Sequence, residues 1–363
     1  MGNIQSSEIV LTLDAGGTNF VFSAIQGGEF IAEEFTLPSF GHDLDKSLAQ
    51  LVKGFRHMSN TIDQSPVAIS FAFPGPADFD AGIIGDCKNL PGYRGGVALK
   101  PFLEHIFSIP VFIHNDGDLF AYGESHFGLL PEINKQLKEH SSSKQFKNLI
   151  GVTLGTGFGG GFVHDGILLK GDTFTASEIW ALQHPERPDV FAEESLSIRG
   201  LKRLYKEFSQ QSHSLEPKDI YKIAIGEVEG DKDAAMETFK TFGQLLGSAL
   251  ANLITIYDSC VVLGGGLSSA YNLFIHHTIS VLNGKVKTLD GKSANRLESQ
   301  IYDFESVEGR SQFLKDESVI IDVPESQKQV RYRPIKKLAI GISRLDTSKA
   351  IALGAYNFAI RHL

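Results

Sequence analysis

Two stretches of this chain, "LTLDAGGTNFVFSAI" (11–25) and "LIGVTLGTGFGGGFV" (149–163), each run apolar, break at a glycine-rich turn and turn apolar again. Short apolar runs joined by glycine turns are strands, so both stretches read as strand–turn–strand, and their likeness predicts two related halves. The intervening segments have helical period. Residues 43–58 place Leu44, Leu48, Leu51, Val52 and Phe55 on one face behind an acidic first turn. Helices are also expected in "GVALKPFLEHIF", "DLFAYGESHFG", residues 234–257, "LSSAYNLFIHHTISVL" and the final "TSKAIALGAYNFAIRHL". "VAISFAFPGPAD", "PVFIHND" and "CVVLGGG" read as buried strands, and "IQGGEF" as a Gly-Gly hairpin turn. Strands alternating with helices predict an α/β protein. Residues 131–148 and 284–335 are polar and irregular and read as exposed insertions.

Composition excludes several classes. The length of 363 residues suits two domains or one large one, and a net charge of -9 provides no electrostatic footprint for nucleic acid or anionic membrane. No run of 18 apolar residues and no basic leader with an apolar core occur, so a cytoplasmic protein is expected. Gly2 and Ser6 fit the N-myristoylation pattern, a short match that is mostly coincidental. Cys87 and Cys260 stand too far apart in the chain for a zinc knuckle or a disulfide framework.

"GTGFGG" (155–160) has dinucleotide-fingerprint spacing, but a strand with an Asp-Gly turn follows where that motif requires a helix. The reading left is a pair of glycine-rich β-turns offering N–H groups and a hydroxyl to phosphates: Gly16, Gly17, Thr18 and Asn19 in one, Thr156 and Gly157 in the other. A third cluster, Gly264, Gly265 and Gly266, follows a strand and opens a helix, which suits an adenine or ribose packed on bare backbone. A carboxylate beside bound phosphates repels them unless a cation lies between. Asp14 is therefore read as a ligand of the Mg²⁺ on ATP.

Phosphoryl transfer also needs a proton acceptor. Asp116, where the strand "VFI" ends, is the candidate base, with Asn115 orienting the acceptor hydroxyl. Asp118 reads as a helix N-cap and His114 as a packed strand residue. Asn89 before a Leu-Pro-Gly turn, Glu178 beside an aromatic, and Glu193 with Glu194 are equipment for carbohydrate hydroxyls, although the last two also suit a helix N-terminus.

Taken together, "LDAGGTN", "FPGPAD", "NLPGY", "HNDGDLFAYGE", "GTGFGGGFVHDGILLKG", "CVVLGGGL" and "AIALGA" resemble, in order and spacing, the ROK family (repressors, open reading frames, kinases) over nearly the whole chain. The resemblance implies a two-domain actin-like, ribonuclease-H-like sugar kinase fold with a central inter-domain cleft. Residues 1–115 plus 349–363 would form the smaller domain and 116–348 the larger. It implies ATP-dependent phosphorylation of a sugar, usually at the 6-hydroxyl, with Asp116 catalytic and Asn89, Asn115, Glu178 and Glu193 on the sugar, in a homodimer. Ser197 matches a family serine. One departure matters: Ala181 stands where the family carries a histidine, and its zinc-binding cysteine segment is missing. No structural zinc is expected, and His184 is the candidate to replace the lost histidine. A sugar-responsive repressor would need a DNA-reading segment ahead of the first turn, where 13 residues stand, and is not expected. A catalytically dead sugar sensor is the other alternative, opposed by Asp14 and Asp116.

Overall fold

The computed structural model describes residues 6–87, 90–210 and 215–363. The chain divides into two compact units, residues 1–131, 160–177 and 343–363 in the first, 132–159 and 178–342 in the second. Residues 116–131 and 160–177 thus group with the N-terminal unit rather than with the larger domain expected from the sequence.

The first unit is built on β1 (Ile9–Ala15), β2 (Asn19–Gln26), α1 (Leu44–Thr61), β3 (Ala68–Ala72), β4 (Val111–His114) and α2 (Asp116–Phe127). β1 and β2 form the antiparallel hairpin that the glycine turn implies, and β1, β3 and β4 are parallel neighbours. Residues 9–13 of β1 are buried, as expected of a strand covered on both faces. α1 starts where the Asp43 carboxylate accepts the Lys46 N–H. It lies close on the sheet because Gly54 has no side chain: a Cβ there would collide with the Phe22 ring. Gly27 and Gly28, both at positive φ, make the tight turn that follows β2.

The second unit receives most of α3 (Leu129–Glu139) and β5 (Leu149–Leu154); the chain passes back to the first unit within β6 (Phe158–His164). It continues through α4 (Ile198–Ser209), α5 (Lys232–Tyr257), β7 (Cys260–Gly264), α6 (Tyr271–Leu282), β8 (Ser299–Asp303) and β9 (Lys336–Ile342). β5, β7, β9 and β8 lie side by side and parallel in that order. Both expected insertions contain regular structure. Leu129, Ile133 and Leu137 are buried at helical spacing on α3, and β8 belongs to the main sheet. Among the described residues no helix is long and apolar enough to cross a membrane.

The chain ends in α7 (Thr347–His362), which packs on α2 within the first unit. Their backbones touch through glycines: a Cβ on Gly123 would collide with the Ala350 carbonyl, and one on Gly354 with that of Leu119. The lead into α7 is held by the buried Glu124 carboxylate, which accepts Leu129 N–H (2.8 Å), Leu345 N–H (3.2 Å) and the Ser343 hydroxyl (2.5 Å). Burial raises the pKa of Glu124, offset in part by these donors. Glu124→Ala would strand several buried donors and is expected to cost about 3 kcal/mol or more. Urea midpoints compared at constant slope would measure it.

Candidate active site

In parallel α/β sheets the carboxyl ends of the strands share one edge, and ligands gather there. In the first unit that edge holds Asp14 in β1, the turn Gly16–Thr18 beyond it, and Asn115 and Asp116 just past β4. The turn is closed by a hydrogen bond from Gly16 N–H to the Asn19 carbonyl (3.0 Å); a Cβ on Gly16 would stand 2.9 Å from that oxygen. Ser39 holds it from behind, its N–H donating to the Thr18 carbonyl and its hydroxyl to that of Gly17. Gly17, Thr18 and Asn19 stay exposed. One Asp14 oxygen accepts from the Ser348 hydroxyl (2.7 Å), and the other has no partner among the described residues. A half-buried carboxylate with a free oxygen beside a bare backbone turn fits a hydrated hard cation that also binds phosphate oxygens. An open cavity of about 500 Å³ adjoins Asp14, rimmed by Glu33, Glu34, Asp346 and Lys349.

Asp116 is the first residue of α2 and Asn115 its N-cap; both carboxamide and carboxylate accept the Gly117 N–H at 2.8 Å. Gly117 is pinned in turn, since a Cβ there would lie 2.5 Å from the Gly160 carbonyl. Asp116 keeps accessible surface, yet the protein massed around it raises its pKa above the usual carboxylate value. Hydrogen bonds from Gly117 and its own N–H oppose that rise, and the charge of Asp14 adds to it. The helix therefore starts two residues earlier than expected. Asp118 is not the cap but a buried side chain accepting from the Ser177 hydroxyl (2.8 Å). His114 is packed, as read from the sequence, with its ring 4.0 Å from that of Phe358 and its pKa pushed down to about 3 by burial.

In the second unit the corresponding edge holds Gly155–Thr156–Gly157 after β5 and Gly264–Gly266 at the end of β7. Gly265, at φ +81°, lies so close to the Leu154 carbonyl that a Cβ cannot fit. Gly155 and Gly266 instead face open space. Glu193 is brought to the phosphate turn: one oxygen accepts the Phe158 N–H (3.1 Å) and stands 2.8 Å from where a Gly157 Cβ would be. Its other oxygen pairs with Arg199 (2.7 Å), which also bridges Glu194 (2.8 Å). Ser197 caps α4 and donates its hydroxyl to the Glu193 carbonyl (2.7 Å). Glu178 accepts from the Trp180 indole, whose ring meets Phe191 edge-on at 5.2 Å. Asn89 lies outside the described residues.

His184 does not replace the lost histidine. It is buried, its Nδ1 accepts the Glu186 and Arg187 N–H groups, and its Nε2 therefore carries the proton and donates to Ser195 Oγ (2.9 Å). With both nitrogens engaged, it ties the loop 182–196 together from inside. Burial lowers its pKa, as it does those of His114 and of His126 (to about 4). These histidines fold neutral, while the unfolded chain protonates near pH 6.5. Their stabilisation is therefore complete above that pH and declines on acidification. The expected loss is up to roughly 1.4 kcal/mol per pH unit for each of His114 and His126, ending below about pH 3 and 4 respectively, and His184 contributes in the same direction. Urea midpoints measured from pH 7 to 4 check the slope.

Sequence reading missed four cations. Arg199, Lys202, Arg203 and Lys206 lie along α4 and, with Thr156, line an open cavity of about 480 Å³. Their spacing of three, four and seven residues puts them on one helix face. Glu194 holds Arg203 as well as Arg199, and Glu216 pairs with Lys202; Lys206 has no carboxylate partner among the described residues.

Comparison with known proteins adds an independent line. The model of the ROK family matches residues 10–317. A curated N-acetyl-D-glucosamine kinase from Vibrio cholerae is 29% identical over 276 residues, covering 70% of this chain and 83% of that protein. The crystal structure of a glucokinase from Parabacteroides distasonis is 46% identical, covers 100% of both chains and superposes with a TM-score of 0.90. A ROK family glucokinase from Streptomyces griseus, solved with glucose and AMPPNP, shares the fold at 18% identity and a TM-score of 0.59, over 97% of this chain and 99% of its own.

Proposed function

This chain belongs to the ROK family, and from that premise we propose that it is an ATP-dependent hexose kinase that phosphorylates a sugar, glucose foremost, on its 6-hydroxyl. The observation that carries the reading is Asp116: a raised-pKa carboxylate at the start of a helix, beside an amide, at the carboxyl edge of a parallel sheet. Likeness to a glucokinase at 46% identity and to kinases of N-acetylglucosamine supports a hexose as acceptor.

In this reading Asn115, Glu178, Glu193 and Asn89 hold the sugar hydroxyls. Asp116 takes the proton of the 6-hydroxyl as its oxygen bonds to the γ-phosphorus. The bond from that phosphorus to the β,γ-bridging oxygen breaks, and ADP leaves with the electron pair. The turns at Gly16–Thr18 and Thr156–Gly157 supply N–H and hydroxyl groups to the phosphates. The α4 cations offset their charge, and Gly264–Gly266 lie under the nucleoside. Mg²⁺, held through Asp14, would neutralise charge on the phosphate oxygens.

A raised pKa makes Asp116 a better proton acceptor and moves the acid limb of the rate profile upward. The expected apparent pKa in kcat/KM lies above the 3.9 of a free aspartate. The direct test is coupled measurement of ADP release with Mg²⁺, ATP and a panel of hexoses and N-acetylhexosamines. Sugar-dependent release is expected; sugar binding without ADP release would favour the sensor reading instead.

A further inference from the structure

The two segments that read as insertions meet in the second unit around a pocket that the proposed reaction does not use. Phe146 and Phe313 stack at 5.9 Å to form its floor, and Lys144 lies 4.3 Å over the Phe146 ring. Arg333 reaches the same pocket and donates to Ser143 Oγ (3.2 Å). Neither Lys144 nor Arg333 has a carboxylate partner among the described residues, and both are half-buried. The acids at the rim are already engaged. Glu317 pairs with Lys337 (2.7 Å) and Lys315 (3.7 Å), and Asp316 with Arg331 (3.7 Å) and the Ser318 N–H (3.0 Å). The pocket thus presents two cations over an aromatic surface, neither held in an ion pair, with Asp258 acting on Lys144 and Asp316 on Arg333 only at longer range. Burial lowers the pKa of Lys144; Cys260 and Asp258 oppose the fall, and Arg333 and Lys336 add to it.

Its place in the fold separates it from the glycine turns. Lys144 and Phe146 run directly into the start of β5, and Ile335 and Lys337 flank the start of β9, so the pocket lies at the amino edge of the sheet. Thr156 follows the other end of β5, a strand of six residues and so roughly 20 Å away. The pocket is small and open, about 60 Å³, with room for a few water-sized groups. A phosphate group is a compact anion, and its two negative charges match Lys144 and Arg333.

We propose that this pocket is a second phosphate site, taking inorganic phosphate or the phosphate head of a small phosphomonoester between Lys144 and Arg333, on the edge of the sheet opposite the glycine turns. A larger body on the ester extends through the open mouth. Calorimetric titration of inorganic phosphate, and separately of glycerol 3-phosphate, into the full chain tests it. Binding is expected in the parent, weakened at least tenfold in Lys144→Met/Arg333→Met, and kept within about threefold in Lys144→Arg and in Thr156→Ala. Tighter binding of the ester identifies an esterified ligand, and equal binding the free ion. If the double variant does not fold, Lys144→Gln is read in the same way. No heat in the parent, equal affinity in the parent and the methionine variant, or loss confined to Thr156→Ala would overturn the assignment.

Discussion

Replacing Asp116 with asparagine is expected to lower kcat about a thousandfold, within the 10²–10⁴ range for a general base, while the KM for the hexose stays within about threefold. The amide keeps the shape of the side chain and leaves an oxygen to accept the Gly117 N–H, so the start of α2 survives. What it loses is the ability to take a proton. Steady-state ADP release over a range of sugar concentrations separates the two constants. A kcat within tenfold of the parent would remove Asp116 from the role of base. The same substitution at Asp118 probes a different property, because that carboxylate is buried against Ser177; it is expected to lower stability more than it changes KM.

The second large effect concerns the frame that carries Asp116. Gly354→Leu is expected to cost at least about 3 kcal/mol and to abolish folding near physiological temperature. At this position α7 lies on the Leu119 carbonyl of α2, and no rotamer of a larger side chain avoids the first Cβ. The helices must separate. Gly123 makes the reciprocal contact with Ala350, so the damage spreads along both helices rather than staying local. Since α2 begins at Asp116, any folded fraction would also lose activity. Thermal unfolding followed by circular dichroism measures the first effect. A melting temperature within a few degrees of the parent would mean that the two helices have room the structure does not show.

The sequence was most legible where the determinants are local. A glycine pair after an apolar run ending in Asp14 can do little but turn, and both hairpins stand as expected. The seam between α2 and α7 was not legible, because it joins residues more than two hundred positions apart and depends on glycines that are ordinary in either helix alone. α2 starts two residues before the expected cap at Asp118, because Asn115 caps the helix and Gly117 fits only under Gly160. β8 was missed since "SQIYD" is short and sits among charged residues; its register with β9 supplies what its own pattern lacks. The α4 cations carry no motif, and only the fold places them beside Thr156. The lost family histidine invites His184 as a substitute, but the loop around it uses both ring nitrogens.

The proposed reaction requires a sugar oxygen to reach the terminal phosphorus of ATP. Incubating the protein with Mg²⁺, ATP and glucose labelled with oxygen-18 at C6, then recording phosphorus NMR, observes that bond directly. The predicted product is a phosphate monoester whose signal has the isotope shift of one bridging oxygen-18, formed in step with ADP. ADP formed without any labelled ester, or an ester at a different hydroxyl with no isotope shift, would contradict it.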